Sequence, residues 1–201
     1  MRWNSEKRVK TEAMAVINAL FKKISGSAGG KVVTILFCFT IAMMIIINTV
    51  DMAVSVPRIE AVSGGAEILD MKVYYTSDEA YKILDQLGTE GRRVYQGMLT
   101  EFDFIFPLLY ALTLSMSAVM ILGKLFPNAV RIQKLGLIPL LAGAFDWLEN
   151  ISALVMLANY PKVSAVSSVA GYFTLGKWGF TWLSLGGIMV GLTILTFKRK
   201  E

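Results

Sequence analysis

The chain has 201 residues, 55% of them hydrophobic, with a mean hydropathy of +0.56 and a net charge of +5. A soluble domain is usually about 45–50% apolar. Here the excess lies in long uncharged runs, so the composition excludes an ordinary globular domain and reads as an all-α, polytopic membrane protein. Histidine is absent and Cys38 is the one cysteine, which excludes histidine bases and metal ligands, histidine-ligated haem, internal disulfides and thiol oxidoreductases.

Residues 1–31 read as a basic cytoplasmic segment. Ala13, Ile17, Leu20, Phe21 and Ile24 recur at helical spacing beside Lys22 and Lys23, which predicts a short amphipathic helix on the inner leaflet, where anionic lipid attracts lysine. Ser25-Gly26-Ser27-Ala28-Gly29-Gly30 follows as a flexible joint. It is not a phosphate loop, because Val32 rather than Ser or Thr follows Lys31, and nucleotide binding is discounted. The first span is expected over 32–56, with Asn48 and Asp51 as its strongly polar members and Cys38 as a small buried apolar residue. The basic segment before it is long, and the apolar run exceeds the ~7–15 residues of a signal-peptide core, so the span is expected to be retained.

An outer loop occupies 57–103, too short for an independent, well-buried domain. Val62-Ser63-Gly64-Gly65-Ala66 is turn-like. Thr76 with Glu79 offers a capping box, predicting a helix that runs to Leu87 and stops at Gly88. Thr89 can cap the next helix, which is expected to continue through Arg92, Arg93 and Tyr95 into the second span. Tyr74, Tyr75, Tyr81 and Tyr95 suit a membrane interface, and the loop is expected to fold down as a cap.

The second span covers 104–122, with Asp103 at its outer end, Pro107 expected to kink it and Tyr110 about 10 Å deeper. The third covers 135–158, with Pro139 near its start. Asp146, Glu149 and Asn150 fall inside it at i, i+3 and i+4, on one helical face. A charge at the centre of a spanning helix costs roughly 2.5–3.5 kcal/mol on insertion scales, so that face must look at helices, water or a ligand. The fourth span covers 178–197, with the helix starting near Ser164. Lys177 stands 21 residues before Lys198, about 31 Å along a helix and hence at the outer boundary. Gly171, Gly176, Gly179, Gly186 and Gly187 are expected to let this helix pack closely.

Thirteen Lys and Arg fall in the N-terminal segment, the loop between spans two and three, and the C-terminus; seven fall in the other two loops and their borders. The basic side is cytoplasmic, so both termini are expected inside. That orientation brings Asn48, Asp51, Asp103, Asp146, Glu149, Asn150 and Lys177 to the outer half of the four spans. We read them as one polar pocket beneath the loop, with Tyr110 near it and Lys177 plus Arg92 or Arg93 as counter-charge. A second reading needs no ligand: Asp146, Glu149 and Asn150 serve as hydrogen-bonding glue between helices, and the residues at span ends, such as Asp51, Asp103 and Lys177, are ordinary interfacial groups.

Tyr75-Thr76-Ser77-Asp78-Glu79-Ala80, Leu87-Gly88, Glu90-Gly91-Arg92-Arg93, Tyr95, Asp103, Pro107, Tyr110, Phe145-Asp146 and Leu148-Glu149-Asn150 together resemble small four-span prokaryotic integral membrane proteins without an assigned activity. The resemblance covers roughly 70–159. It implies a four-helix membrane architecture and no chemistry.

Three functions remain open. The first is a non-enzymatic protein that binds a lipid-like ligand or a membrane-protein partner at the pocket. The second is a proton- or cation-coupled transporter, in which Asp146 or Glu149 exchanges a proton; with four spans it would act as a homo-oligomer. The third is a lipid-modifying enzyme using Asp146 and Glu149 as acid and base. No serine-hydrolase elbow, zinc-protease pair or other strong catalytic motif is present. Neither a metal, a cofactor nor a nucleic-acid partner is expected beside the lipid bilayer.

Overall fold

The computed structural model describes residues 2–198, with side chains from Glu6 onward. Arg199 and Lys200 of the basic C-terminus lie outside the described residues. The described chain is 82% helix without strands. In order it forms α1 (Arg2–Ser27), α2 (Gly30–Thr49), α3 (Val56–Ser63), a 3-10 turn (Leu69–Met71), α4 (Ser77–Gln86) and α5 (Gly88–Glu101). Then come α6 (Phe106–Leu125), α7 (Val130–Gln133), a second 3-10 turn (Lys134–Leu137), α8 (Pro139–Asn159) and α9 (Ser167–Lys198). Four stretches are long and apolar enough to cross a membrane: Gly30–Thr49, Phe106–Leu125, Val130–Asn159 and Ser167–Lys198.

Their limits differ from the sequence expectation for local reasons. The first stops at Thr49, because Val50 is extended and Ser55, accepting from the Arg58 amide at 3.3 Å, starts a new helix with proline in its first turn. The third begins at Val130 rather than 135, since α7 and the second 3-10 turn lead straight into α8. The second is not a continuation of α5. The chain leaves the helix at residues 102–105, and Pro107 sits in the first turn of α6, where its missing N–H costs nothing, so it opens the helix instead of kinking it. Nor does Thr89 cap α5, which starts at Gly88 with φ +63° and no side-chain cap.

The segment between α2 and α6 is an ordered helical cap. Thr76 and Glu79 close the capping box of α4, while the left-handed Gly64 ends α3. Ile59, Leu69, Leu84, Leu87 and Tyr95 are 0% exposed. Each such side chain contributes about 1.5–3 kcal/mol on burial. They share one core with Ala153 and Met156 of α8 and Ala170 of α9. That sharing answers the size problem: a loop too short to bury its own core borrows the ends of two long helices. With 32 residues α9 is about 48 Å long, more than the ~30 Å of a hydrocarbon layer, and its first turns lie beside the cap. Gly171 is required there, because a Cβ would run into the Tyr75 carbonyl.

Below the cap, α6, α8 and α9 pack on one another, and α2 packs on α6. Gly176 lets the Phe145 ring approach α9, with a Cβ falling 2.6 Å from it, whereas Gly179, Gly186 and Gly187 have nothing within 4 Å. Close packing by glycine is thus confined to the cap end of the five positions expected. Helices are joined here by hydroxyls: Thr40 Oγ1 and Thr113 Oγ1 are 3.0 Å apart, and Ser115 Oγ donates to the Gly136 carbonyl at 2.6 Å. Large apolar side chains point outward, among them Ile35, Phe39, Leu183 and Val190. From α1, Ile24 packs with Val33, Met116 and Val119, and Asn18 accepts from Lys134.

Candidate functional site: a buried lysine among three carboxylates

Asp146 and Glu149 lie one turn apart on α8 and face α9, where they meet Lys177. Its Nζ is 2.7 Å from Glu149 Oε2, 3.9 Å from Asp146 Oδ1 and 3.6 Å from Asp70 Oδ1. Asp70 comes from the 3-10 turn of the cap. The exposures are 7% for Asp146, 1% for Glu149 and 7% for Lys177. Three carboxylates therefore enclose one ammonium out of bulk water. Formally the group carries two negative charges in excess, and burying uncompensated charge is costly by several kcal/mol per ion.

The surroundings fix these side chains. Tyr95 donates to Asp70 Oδ2 at 2.6 Å. Burial and the neighbouring Asp70 carboxylate push the Tyr95 phenol well above its ordinary value, which keeps it a donor. Trp178, next to Lys177, donates through Nε1 to the Lys72 carbonyl at 2.8 Å, binding α9 to the cap. The break at residues 102–105 frees backbone carbonyls, and α8 satisfies two of them: Asn150 Nδ2 donates to Asp103 O at 2.9 Å and Trp147 Nε1 to Phe104 O at 2.9 Å.

The sequence-derived residues separate into two sets. Asp146, Glu149 and Lys177 meet directly. Tyr110 is placed beside Asp146. Asn150 is buried at the same level but its amide serves the backbone. Asp103 borders the group half-buried, and burial, reinforced by the Asp70 and Asp146 carboxylates, pushes it up to about 8.

Asn48, Asp51, Arg92 and Arg93 do not join them. Asn48 is exposed and donates to its own helix at Met44 O, and Asp51 is exposed beyond the end of α2; α2 packs on α6, away from the α8–α9 seam. The arginines stay in the cap. Arg92 donates to the Leu84 carbonyl at 2.8 Å and lies 3.9 Å from the Tyr160 ring centroid, while Arg93 pairs with Glu90 at 2.6 Å. Among the described residues the counter-charge is Lys177 alone.

Asp70 is the participant that sequence reasoning missed. Ile68-Leu69-Asp70-Met71 sets one acid among apolar residues, but Glu60, Glu67 and Asp103 of the same loop also stand between apolar neighbours, so the pattern does not single out Asp70. One oxygen each from Asp70, Asp146 and Glu149 lies within 4.8 Å of the others, a spacing that suits a metal ion. The Lys177 ammonium fills that position as the resident cation. Polar capacity is left over: Tyr75 Oη, Tyr110 Oη, Asn150 Oδ1 and Glu149 Oε1 are buried without hydrogen-bond partners among the described residues. Such atoms are costly unless a proton, water or ion satisfies them. No protein-family model, curated protein or solved structure matches the chain.

Proposed function

We propose that the chain is a non-enzymatic, multi-pass protein of the cell membrane, with both termini cytoplasmic and the cap on the outer face. In this reading the cluster under the cap takes up protons, and its protonation governs how firmly the cap is seated. The carrying observation is the enclosure of one lysine by Asp70, Asp146 and Glu149, with the first carboxylate from the cap and the others from the bundle. Excess negative charge there pushes cap and bundle apart, and a proton removes part of it. The surplus acceptor on Glu149 and the raised Asp103 support the same reading.

Two of the three readings drawn from the sequence fit the geometry less well. A lipid-like ligand or protein partner at this cluster, or a lipid substrate for an Asp146–Glu149 acid and base, needs the space that Lys177 occupies. Proton-coupled transport by a homo-oligomer uses the same exchangeable protons and remains the second reading. The basic residues around α1, Lys124, Arg131 and Lys134 support the orientation.

The test is hydrogen exchange of the cap helices α3–α5 in lipid nanodiscs at pH 5.5 and 8.5, corrected for intrinsic exchange. Protection is expected to be lower at pH 8.5, and Glu149→Gln is expected to narrow the difference. Equal protection at both values in the wild type would defeat the proposal. Pyranine-loaded proteoliposomes then separate the transport reading, which requires proton flux under a pH gradient.

A further inference from the structure

A groove of about 520 Å³ runs between α1, α6 and α8, within the ~300–1,000 Å³ typical of small-molecule sites. Its walls are apolar: Pro107, Leu108 and Met116 from α6, Leu140 and Trp147 from α8. The hydrophilic side chains of the lining are Lys23 and Ser27, and both come from the α1 side. The groove is therefore chemically two-ended, with one ammonium and one hydroxyl at the α1 rim and hydrocarbon elsewhere. Lys23 is exposed and has no carboxylate within ion-pair distance among the described residues.

The wider charge pattern points the same way. Residues 13–50 and 104–145, which supply every wall residue except Trp147, contain Lys22, Lys23, Lys31, Lys124, Arg131 and Lys134 and no acid. The α1 side is also held in place, through Ile24 packing on Met116 and Val119 and Asn18 accepting from Lys134. A groove with one fixed cationic rim and an apolar length selects an anionic amphiphile over a zwitterionic one.

We propose that this groove holds an acyl chain of an anionic phospholipid, with Lys23 on the headgroup. This is a discrete bound lipid, distinct from a general attraction of α1 to a charged leaflet, and it rests on the reading that the long helices lie in a bilayer. It is separate from the lysine–carboxylate cluster, which the groove does not include.

The experiment reconstitutes the full chain into vesicles of phosphatidylglycerol and phosphatidylcholine and ejects it for native mass spectrometry. Phosphatidylglycerol is expected to be retained preferentially, one molecule per chain. Lys23→Gln should lower that preference about fivefold, the effect of one lysine near a lipid surface. Ala144→Phe, which fills the groove from an exposed position, should abolish retention. Lys10→Gln serves as the control for general attraction. Retention without headgroup preference, equal loss in the Lys10 and Lys23 variants, or unchanged retention in Ala144→Phe would each overturn the proposal. Recovery of a polypeptide in place of lipid would do so as well. Alkaline carbonate extraction of the same vesicles separates this outcome from failure of the membrane reading: a chain that resists extraction but shows no preference refutes the lipid site alone.

Discussion

The two ends of the bundle are held together by different chemistry. At the cap end, helices meet through ionisable groups drawn from three elements, Asp70, Asp146 with Glu149, and Lys177, alongside a core of buried side chains. In the other half the contacts between helices are neutral hydroxyls, Thr40 with Thr113 and Ser115 with the Gly136 carbonyl, while large apolar residues face outward. On the proposed membrane placement, the difference follows from the solvent on each side. The cap excludes water and gains from apolar burial, so it can enclose a costly charge group. Helices whose apolar faces meet hydrocarbon gain nothing from that burial and rely on packing and weak polar contacts.

This contrast assigns the largest effect to Lys177. Lys177→Met leaves the buried Asp146 and Glu149 and the half-buried Asp70 without a cation, and removing one partner of a buried ion group costs about 3–5 kcal/mol. Chemical unfolding in detergent micelles should show that loss, and adding Glu149→Gln should recover part of it. A loss no larger than that of a hydroxyl contact would erase the distinction between the two ends. Next comes Tyr95→Phe, which strips the 2.6 Å donor from Asp70. An unsatisfied charged acceptor costs about 1–3 kcal/mol or more. The loss should appear in cap protection by hydrogen exchange while the far halves of α2 and α9 stay unchanged.

Much of this architecture is legible in the sequence, because uncharged runs of bilayer length rarely occur in a water-soluble fold. Asp146 and Glu149 stand out for the same reason, and their i, i+3 spacing gives them a common face without any tertiary knowledge. Asp70 is harder to see, since it lies outside the spans and joins the cluster only through the folding of the cap. Arg92 and Arg93 mislead in the opposite way. Their charge has the right sign, but Glu90, the Leu84 carbonyl and the Tyr160 ring are nearer partners. Pro107 is ambiguous in any apolar run, because the residue that kinks a helix interior also favours a helix start, and the end of α5 decides between them.

A pH experiment sharpens the contrast at the border of the cluster. Asp103 is raised from its ordinary 3.8 to about 8 in the folded protein, first by burial and then by facing Asp70 and Asp146. The folded state therefore holds the proton more tightly than the unfolded state. Its contribution to stability is present below about 3.8, declines as pH rises through the window, and is lost above about 8. Unfolding midpoints measured between pH 5 and 9 should fall with rising pH, and Asp103→Asn should flatten that slope.

The smallest effect is expected where neutral hydroxyls alone join two helices. Thr40→Val keeps the shape of the side chain and deletes the 3.0 Å contact with Thr113. Each hydroxyl has one proton: one donates across the contact while the other donates to its own helix, Thr40 to Leu36 O or Thr113 to Leu109 O, so Thr113 keeps an acceptor after the change. Interhelical hydrogen bonds in membranes average about 0.6 kcal/mol by double-mutant cycles, and the cycle of Thr40→Val with Thr113→Val should return a coupling of that order. A coupling above about 2 kcal/mol, beyond the ~1.7 kcal/mol maximum of such cycles, would place the α2–α6 seam with the ion cluster in energy and show that charge is not what separates the two ends. A value near the average, set beside the several kcal/mol of Lys177, would assign the difference to the carboxylates that the cap brings under cover.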